Sequence, residues 1–274
     1  MAGTDDKAIS QNGFDVSGWY EGVVPGTVMG ALSDFNVIED ATFGINMKNM
    51  DPTQFQKPWW YRSTFKITAD DFKKDVSLRF NGINYRADLW VNGNKVADKE
   101  DFAGSFRMFS YNINQFINEG ENTLALKITQ YADGEYLLGF CDWNPLPTDR
   151  SMGIFREVFL EVNDGVKIRS PFVYAKVDTV SKSAADLYVQ AEIVNSTNQP
   201  VEGIFNVDYE VGNIEKKVVV PANDTLSVRL SPADFPQLSV KNIELWWPNG
   251  MGNAKLYNLK TEFVVGNKIY GSGR

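Results

Sequence analysis

From Trp59 onward the chain repeats one pattern: a short run alternating apolar and polar residues, a turn, then another such run. WWYRSTFKI (59–67) and VSLRFNGI (76–83) alternate in this way. NYRADLWV (84–91) meets Asn92-Gly93, a pair that accepts the positive φ values of a two-residue hairpin turn. SFRMFSYNI (105–113), NTLALKITQ (122–130) after a turn at Gly120, and GIFREVFLEV (153–162) continue the series. Side chains alternate between the two faces of a strand, so each run has one face to bury. At least seven such strands predict a two-sheet antiparallel sandwich of Greek-key or jelly-roll type. No amphipathic helix of roughly 10–15 residues alternates with them, which argues against a parallel α/β fold.

Asn163-Asp164-Gly165 is a turn cluster and marks the boundary. Beyond it KIRSPFVYAKVD, ADLYVQAEIVN, GIFNVDYEV, KKVVVPA, TLSVRLS, NIELWWP and KLYNLKTEFVV predict seven further strands, the number found in an immunoglobulin-like sandwich. At the other end, residues 1–21 read as a frayed or loosely docked leader. GVVPGTVMGALSDF (22–35) carries a Pro-Gly turn and one short helix with Thr27 as its N-cap, and Thr68 caps a helical turn before Lys74. The expected organisation is therefore all-β: a leader over 1–21, a first sandwich over 22–164 and a second over 165–274. The chain stops directly after a strand, which leaves a native end and a cut before another domain both open.

Composition narrows the chemistry. Of 274 residues none is histidine, so the chain supplies no Ser-His-Asp triad, no imidazole base and no His-bearing zinc site. One cysteine, Cys141, excludes an intrachain disulfide and a multi-thiolate metal site, and it reads as a packing residue. A net charge of −8 argues against nucleic acid and against an anionic membrane surface. No apolar run reaches the length of a membrane span, and the N-terminus lacks the basic and apolar regions of a signal peptide.

One stretch fits neither period. YLLGFCDWNPLPTDRSMGIFRE (136–157) opens apolar, passes Asp142-Trp143-Asn144, then crosses Pro145 and Pro147, and alternation resumes only at Ile154. Proline removes backbone donors and fixes φ, so the middle is a loop. Leaving Trp143 in water forfeits on the order of 1.5–3 kcal/mol of burial. The loop therefore packs over its own sandwich, on a neighbour, or on a ligand, with Trp143 as a flat face and the carboxylates Asp142 and Asp149 as polar partners.

Other motifs carry less. Arg86 and Asp88 share a strand face and are expected to pair. Of Trp59-Trp60 one ring points in and one out. Trp246-Trp247-Pro248 places Trp246 either in the second sandwich or against a neighbouring domain. Gly250-Met-Gly252 lacks the third glycine of a dinucleotide fingerprint. Asn195-Ser-Thr197 and Asn223-Asp-Thr225 fit the glycosylation acceptor pattern. A carboxylate pair is the chemistry left to a chain without histidine, and no pair stands out among 35 acidic residues.

The series VPGTV (24–28), FGIN (43–46), WWYRSTF (59–65), LRFNGINYRADLWVNG (78–93), GENTLAL (120–126), DWNP (142–145), DRSMGIFR (149–156) and WWPNGMGNAKLYNL (246–259) resembles the N-terminal region of glycoside hydrolase family 2. The likeness runs from about residue 22 to 265. DWNP followed by PTDRSMG looks most like the exo-β-D-glucosaminidases, whereas β-mannosidases carry a DWGP-like variant; Phe155 stands where many members have Trp. The resemblance implies a jelly-roll, galactose-binding-like domain, an immunoglobulin-like sandwich, and then a TIM barrel with two catalytic glutamates, expected beyond residue 274. It implies a retaining exo-glycosidase on β-linked amino sugars or mannosides, periplasmic or secreted, with no catalytic residue, metal or cofactor in this portion. Partners would be the oligosaccharide substrate and the barrel. By the same resemblance Asp142 contacts a sugar hydroxyl, Trp143 and Asn144 form or support the platform, and Asp149 either joins them or pairs with Arg150 or Arg156. A free-standing carbohydrate-binding or adhesion module using the aromatic loop is the alternative.

Overall fold

The computed structural model describes residues 5–135, 143, 146–210 and 212–273. It divides into two compact units, Met1–Val162 and Asn163–Arg274.

The first unit runs α1 (Asp6–Ile9), β1 (Gly26–Thr27), α2 (Val28–Asp34), α3 (Asn46–Asn49), β2 (Trp59–Ile67), β3 (Asp75–Phe80), β4 (Arg86–Val91), β5 (Asn94–Ala97), β6 (Phe109–Asn112), β7 (Gly120–Thr129), β8 (Gly153–Ile154) and β9 (Val158–Asn163). Two sheets, ordered β2-β7-β4-β5 and β6-β3-β9, enclose the core, and β1 and β8 form a separate two-stranded ribbon. Alternation along each strand decides what is enclosed. Val76, Leu78 and Phe80 of β3 and Ala87, Leu89 and Val91 of β4 are buried together with Phe102 and Phe109. The Phe102 ring meets Phe80 at 5.0 Å and Phe109 at 4.7 Å, both tilted or edge-on, as the aromatic quadrupole favours. Trp59 packs on this core, while Trp60 points the other way and rests 5.1 Å from Trp90.

Thr27 caps α2, its hydroxyl accepting from Gly30 N at 3.0 Å, and the Thr68 hydroxyl accepts from Asp71 N at 3.1 Å. The Asn92-Gly93 turn has φ of 51° and 81°. The leader is less loose than its composition suggests. Ile9 is buried, Asp6 pairs with Lys127 at 2.8 Å, and the Gln11 carbonyl accepts from Arg62 at 2.9 Å. One apolar residue and a few polar contacts suffice to dock a short helix that propensity alone would not hold.

The second unit contains β10 (Val166–Val177), β11 (Ala184–Asn195), β12 (Val201–Tyr209), β13 (Gly212–Val220), β14 (Asp224–Leu230), β15 (Ser239–Lys241), β16 (Leu259–Val265) and β17 (Lys268–Gly273). One sheet joins β10-β11-β14 with β15 on β11, and the other is ordered β13-β12-β16-β17. Val189, Ala191 and Ile193 from one sheet meet Phe205, Val207 and Phe263 from the other. The architecture is that of two all-β sandwiches in series.

Two local expectations fail here. NIELWWP is not a strand: Trp246 makes an isolated bridge to Ala254 and is exposed, because the Pro248-Asn249-Gly250 turn folds the segment back before a ladder can form. The strands that complete the sandwich are instead β15 and β17, too short or too polar to stand out. Asn195 is buried, donating to the carbonyls of Gln199, Val220 and Pro221, so its side chain offers no acceptor for a glycan.

Candidate functional site

The aromatic loop leaves β7 at Thr129 and returns to the fold at β8. Of its expected site residues, Asp142 and Asn144 lie outside the described residues, as does Cys141. Trp143 is 79% exposed and Leu146 is also exposed. An indole so open to water leaves most of its apolar surface without a partner.

Asp149 has the opposite environment. It is fully buried, its Oδ2 accepting from Met29 N at 3.0 Å and its Oδ1 from Ser151 N at 2.8 Å. The Thr27 hydroxyl is a further partner, so one carboxylate ties the end of the loop to the first turn of α2. Burial pushes the Asp149 carboxyl up; the bonds from Met29, Ser151 and Thr27 offset only part of that rise. The same burial, joined by the charge on Asp149, pushes the neighbouring Tyr61 phenol up. Arg150, an expected partner of Asp149, instead pairs with Asp133 at 3.0 Å, and Arg156 lies over the Phe155 ring.

Gly153 follows directly. A Cβ there would fall 2.5 Å from the Gly26 carbonyl oxygen and 2.7 Å from Thr27 Cα, so only glycine lets β8 approach β1.

Both stems of the loop are held from the entry to β4, by Asn84 just before it and Arg86 at its first position. Asn84, 1% exposed, donates from Nδ2 to the carbonyls of Arg150 at 2.9 Å and Ser151 at 2.8 Å, while its Oδ1 accepts from Ser105 Oγ at 2.7 Å. Its backbone also exchanges hydrogen bonds with Gly153, each 2.8 Å. Arg150 and Ser151 have φ of 53° and 55°. A left-handed backbone costs an L-residue roughly 1–2 kcal/mol, so these two persist because their surroundings hold them.

Arg86 grips the outgoing stem through an ion pair with Glu135, whose other oxygen accepts from Ala132 N. It does not pair with Asp88, which meets Lys95 at 2.9 Å and accepts from Lys99 N at 3.0 Å. The hairpin return brings Lys95 to Asp88, and the loop stem brings Glu135 to Arg86. Between the stems, Tyr131 packs edge-on to Tyr85 and under the Arg150 guanidinium, 5.0 Å from its ring centre. The polar run from Asn81 to Asp88 signalled a structured cluster, but the contacts of Asn84 are long-range and no local period announces them.

A cleft of about 1090 Å³ in the first unit runs between the edges of β2 and β9, lined by Trp19, Trp59, Tyr61, Phe80 and Leu160 among others. Tyr20, Val24 and Phe159 are exposed apolar residues of this region. Among the described residues no group of three His, Cys, Asp or Glu is placed to hold a metal, and no helix is long and apolar enough to cross a membrane.

Two family models match the chain: the glycosyl hydrolase 2 galactose-binding domain-like model over residues 4–137, and the glycosyl hydrolases family 2 model over 166–272. In sequence it is 32% identical over 263 residues to the exo-beta-D-glucosaminidase of Streptomyces avermitilis, an alignment covering 96% of this chain and 29% of that protein. It is 27% identical over 292 residues to the mannosylglycoprotein endo-beta-mannosidase of Lilium longiflorum, covering 90% and 28%. In structure it matches the exo-chitosanase of Amycolatopsis orientalis with a TM-score of 0.88 at 29% identity, over 99% of this chain and 31% of that one. The chain thus spans less than a third of the length of these relatives.

Proposed function

This chain belongs to glycosyl hydrolases family 2, and from that premise we propose that it is the N-terminal, non-catalytic portion of a retaining exo-glycosidase acting on β-linked sugars. β-Glucosaminides are the first choice of substrate and β-mannosides the second. The catalytic carboxylate pair belongs to the remaining length of the parent enzyme, where one carboxylate attacks the anomeric carbon and the other protonates the leaving oxygen. The part of this chain is to wall the sugar subsite with the loop between β7 and β8. In this reading Trp143 offers a ring face to a pyranose, Asp142 accepts from a sugar hydroxyl, and Asn144 supports both. Asp149 contributes as the anchor of the returning stem, because its carboxylate does not reach solvent.

The observation that carries the reading is Trp143: an exposed indole, 79% open, at the end of a stem held by buried polar contacts. A ring face kept open on a fixed stem suits a sugar better than it suits the module's own core. The exposed apolar region beside the cleft between β2 and β9 is the surface we assign to contact with the rest of the parent enzyme. On the analogy of polysaccharide-degrading relatives, we place that enzyme in the periplasm or outside the cell, which fractionation of the producing cells would check.

The test is turnover by the full-length enzyme on chromogenic β-glucosaminide and β-mannoside, with and without W143A. Loss of kcat/KM in W143A on the preferred substrate supports the reading, and no turnover of either substrate by the wild type refutes it. Calorimetry of the 274-residue chain with glucosamine oligomers separates the alternative. Saturable binding without the rest of the enzyme would favour a free-standing carbohydrate-binding module.

A further inference from the structure

Arg150 and Ser151 are the two consecutive non-glycine residues at positive φ where the loop comes back to the sheet, and Asn84 Nδ2 donates to the carbonyls of both. Among the described residues no other side chain donates to either carbonyl. Asn84 is itself fixed by Ser105 Oγ and by paired backbone bonds to Gly153, so it cannot follow the turn if the turn relaxes. On the outgoing side, Arg86 holds Glu135 two residues after Asn84 in sequence. One tripeptide, Asn84-Tyr85-Arg86, therefore grips both ends of the loop.

We propose that Asn84 is a positioning residue for the sugar-facing loop, holding the left-handed Arg150–Ser151 turn against relaxation while Arg86 fixes the opposite stem. The inference rests on the reading that this loop faces the sugar. Strained backbone persists where the surroundings over-determine it, and it clusters where a site needs a geometry the chain would not choose alone. Here the strained pair lies between the buried anchor, Asp149, and β8, on the returning stem of the loop that carries Trp143. Displacing reacting partners by about 1 Å can lower rates by about a hundredfold, so a released stem is felt at the sugar without Asn84 touching it.

The experiment uses the full-length enzyme carrying 5-fluorotryptophan, with the Trp143 fluorine resonance assigned by W143F. In N84A the Trp143 resonance is expected to shift or broaden while the other tryptophans hold their positions. kcat/KM is expected to fall by about ten- to a hundredfold, mostly in kcat. The distinguishing arm is N84A/S151G: glycine accepts positive φ without strain, so the double variant should regain the Trp143 resonance and much of the lost rate. A purely structural role for Asn84 gives no reason for such rescue. An unchanged Trp143 resonance in folded N84A overturns the proposal. If N84A alone does not fold, restoration of fold and resonance by S151G supports it, and failure to restore them overturns it. If the wild type turns over neither sugar, the functional reading falls while the fluorine resonance still decides the positioning role.

Discussion

The two sandwiches bury their polar groups differently. Among the described residues of the first unit Ser10, Ser77, Asn84, Asp88, Ser105, Asn122, Thr123 and Asp149 are buried, and most of their bonds fasten loops and turns; among those of the second, the buried polar residues are Asn195 and Thr261. Asn122 accepts from Asn118 N and from Asn92, fastening the turn before β7, and Asn84 and Asp149 fasten the long loop. The second unit has long, regular strands over a mainly aliphatic interior. A buried polar group is unfavourable unless satisfied, so it recurs where a loop must keep one shape. The contrast is one of construction: the first unit fixes a long loop with buried polar groups, and the second relies on its ladders and apolar interior.

Truncating apolar residues should not reveal that contrast. Phe205 of β12 is fully buried against the opposite sheet, and Phe102 occupies the equivalent centre of the first unit. Either F205A or F102A is expected to lose about 3–5 kcal/mol of unfolding free energy in urea titrations. A loss confined to one of the two would mean that the other core is loosely packed and that the comparison starts from the wrong place.

Truncating buried amides should reveal it. N84A and N195A each strand carbonyls that had a donor, at an expected loss of about 1–3 kcal/mol. The magnitudes are alike and the consequences are not. N195A should leave the Trp143 environment unchanged, since its partners are Gln199, Val220 and Pro221, all within the second unit. A Trp143 resonance that moves equally in both variants would erase the division of labour between the units.

How much of this was legible beforehand follows the same division. The strands of the first unit, the Thr27 and Thr68 caps and the Asn92-Gly93 hairpin rest on local chemistry, and the sequence is where local chemistry is written. The second unit was legible in kind and less so in detail: the run to Trp246-Trp247 has strand-like composition, yet proline and glycine end it before it can pair. The candidate site was half legible. Trp143 stood out as an apolar residue in a loop, but the bond from Met29 N to Asp149 crosses 120 residues and that from Asn84 to Arg150 crosses 66. Such partners are set by topology, and periodicity carries no trace of them. Arg86 and Asp88 show the same lesson, each finding a partner elsewhere.

Asp149 sharpens the comparison through pH. Its folded carboxyl titrates above the ordinary aspartate value because burial disfavours the charge. Between those two values the folded state keeps a proton that the unfolded state has released. The contribution is therefore fully present below the unfolded value and is lost as pH rises through the raised one. An amide at this position cannot ionise and presents one acceptor where two N–H groups need one. D149N should accordingly be less stable by about 1–2 kcal/mol at acid pH, and its deficit relative to wild type should narrow toward neutrality. Urea titrations at a series of pH values check this, and a deficit that widens with pH would show that the bonds from Met29 and Ser151, not burial, govern the group.

The smallest expected effect on stability is the most informative about function. Trp143 is 79% exposed and anchors no described element, so W143A should change unfolding free energy by no more than about 0.5 kcal/mol. Exposed aromatics that serve neither core nor cap are removed at little cost to the fold, and their retention then calls for a ligand or partner. If W143A instead lowers stability by as much as N84A, the indole is packing on its own module in solution. The loop would then be a cover for the first sandwich, and the difference between the two units would be one of architecture alone. If stability holds while turnover on the β-glucosaminide falls, the buried amides of the first unit have their explanation: they fix a stem so that a ring can stay in water until a sugar covers it.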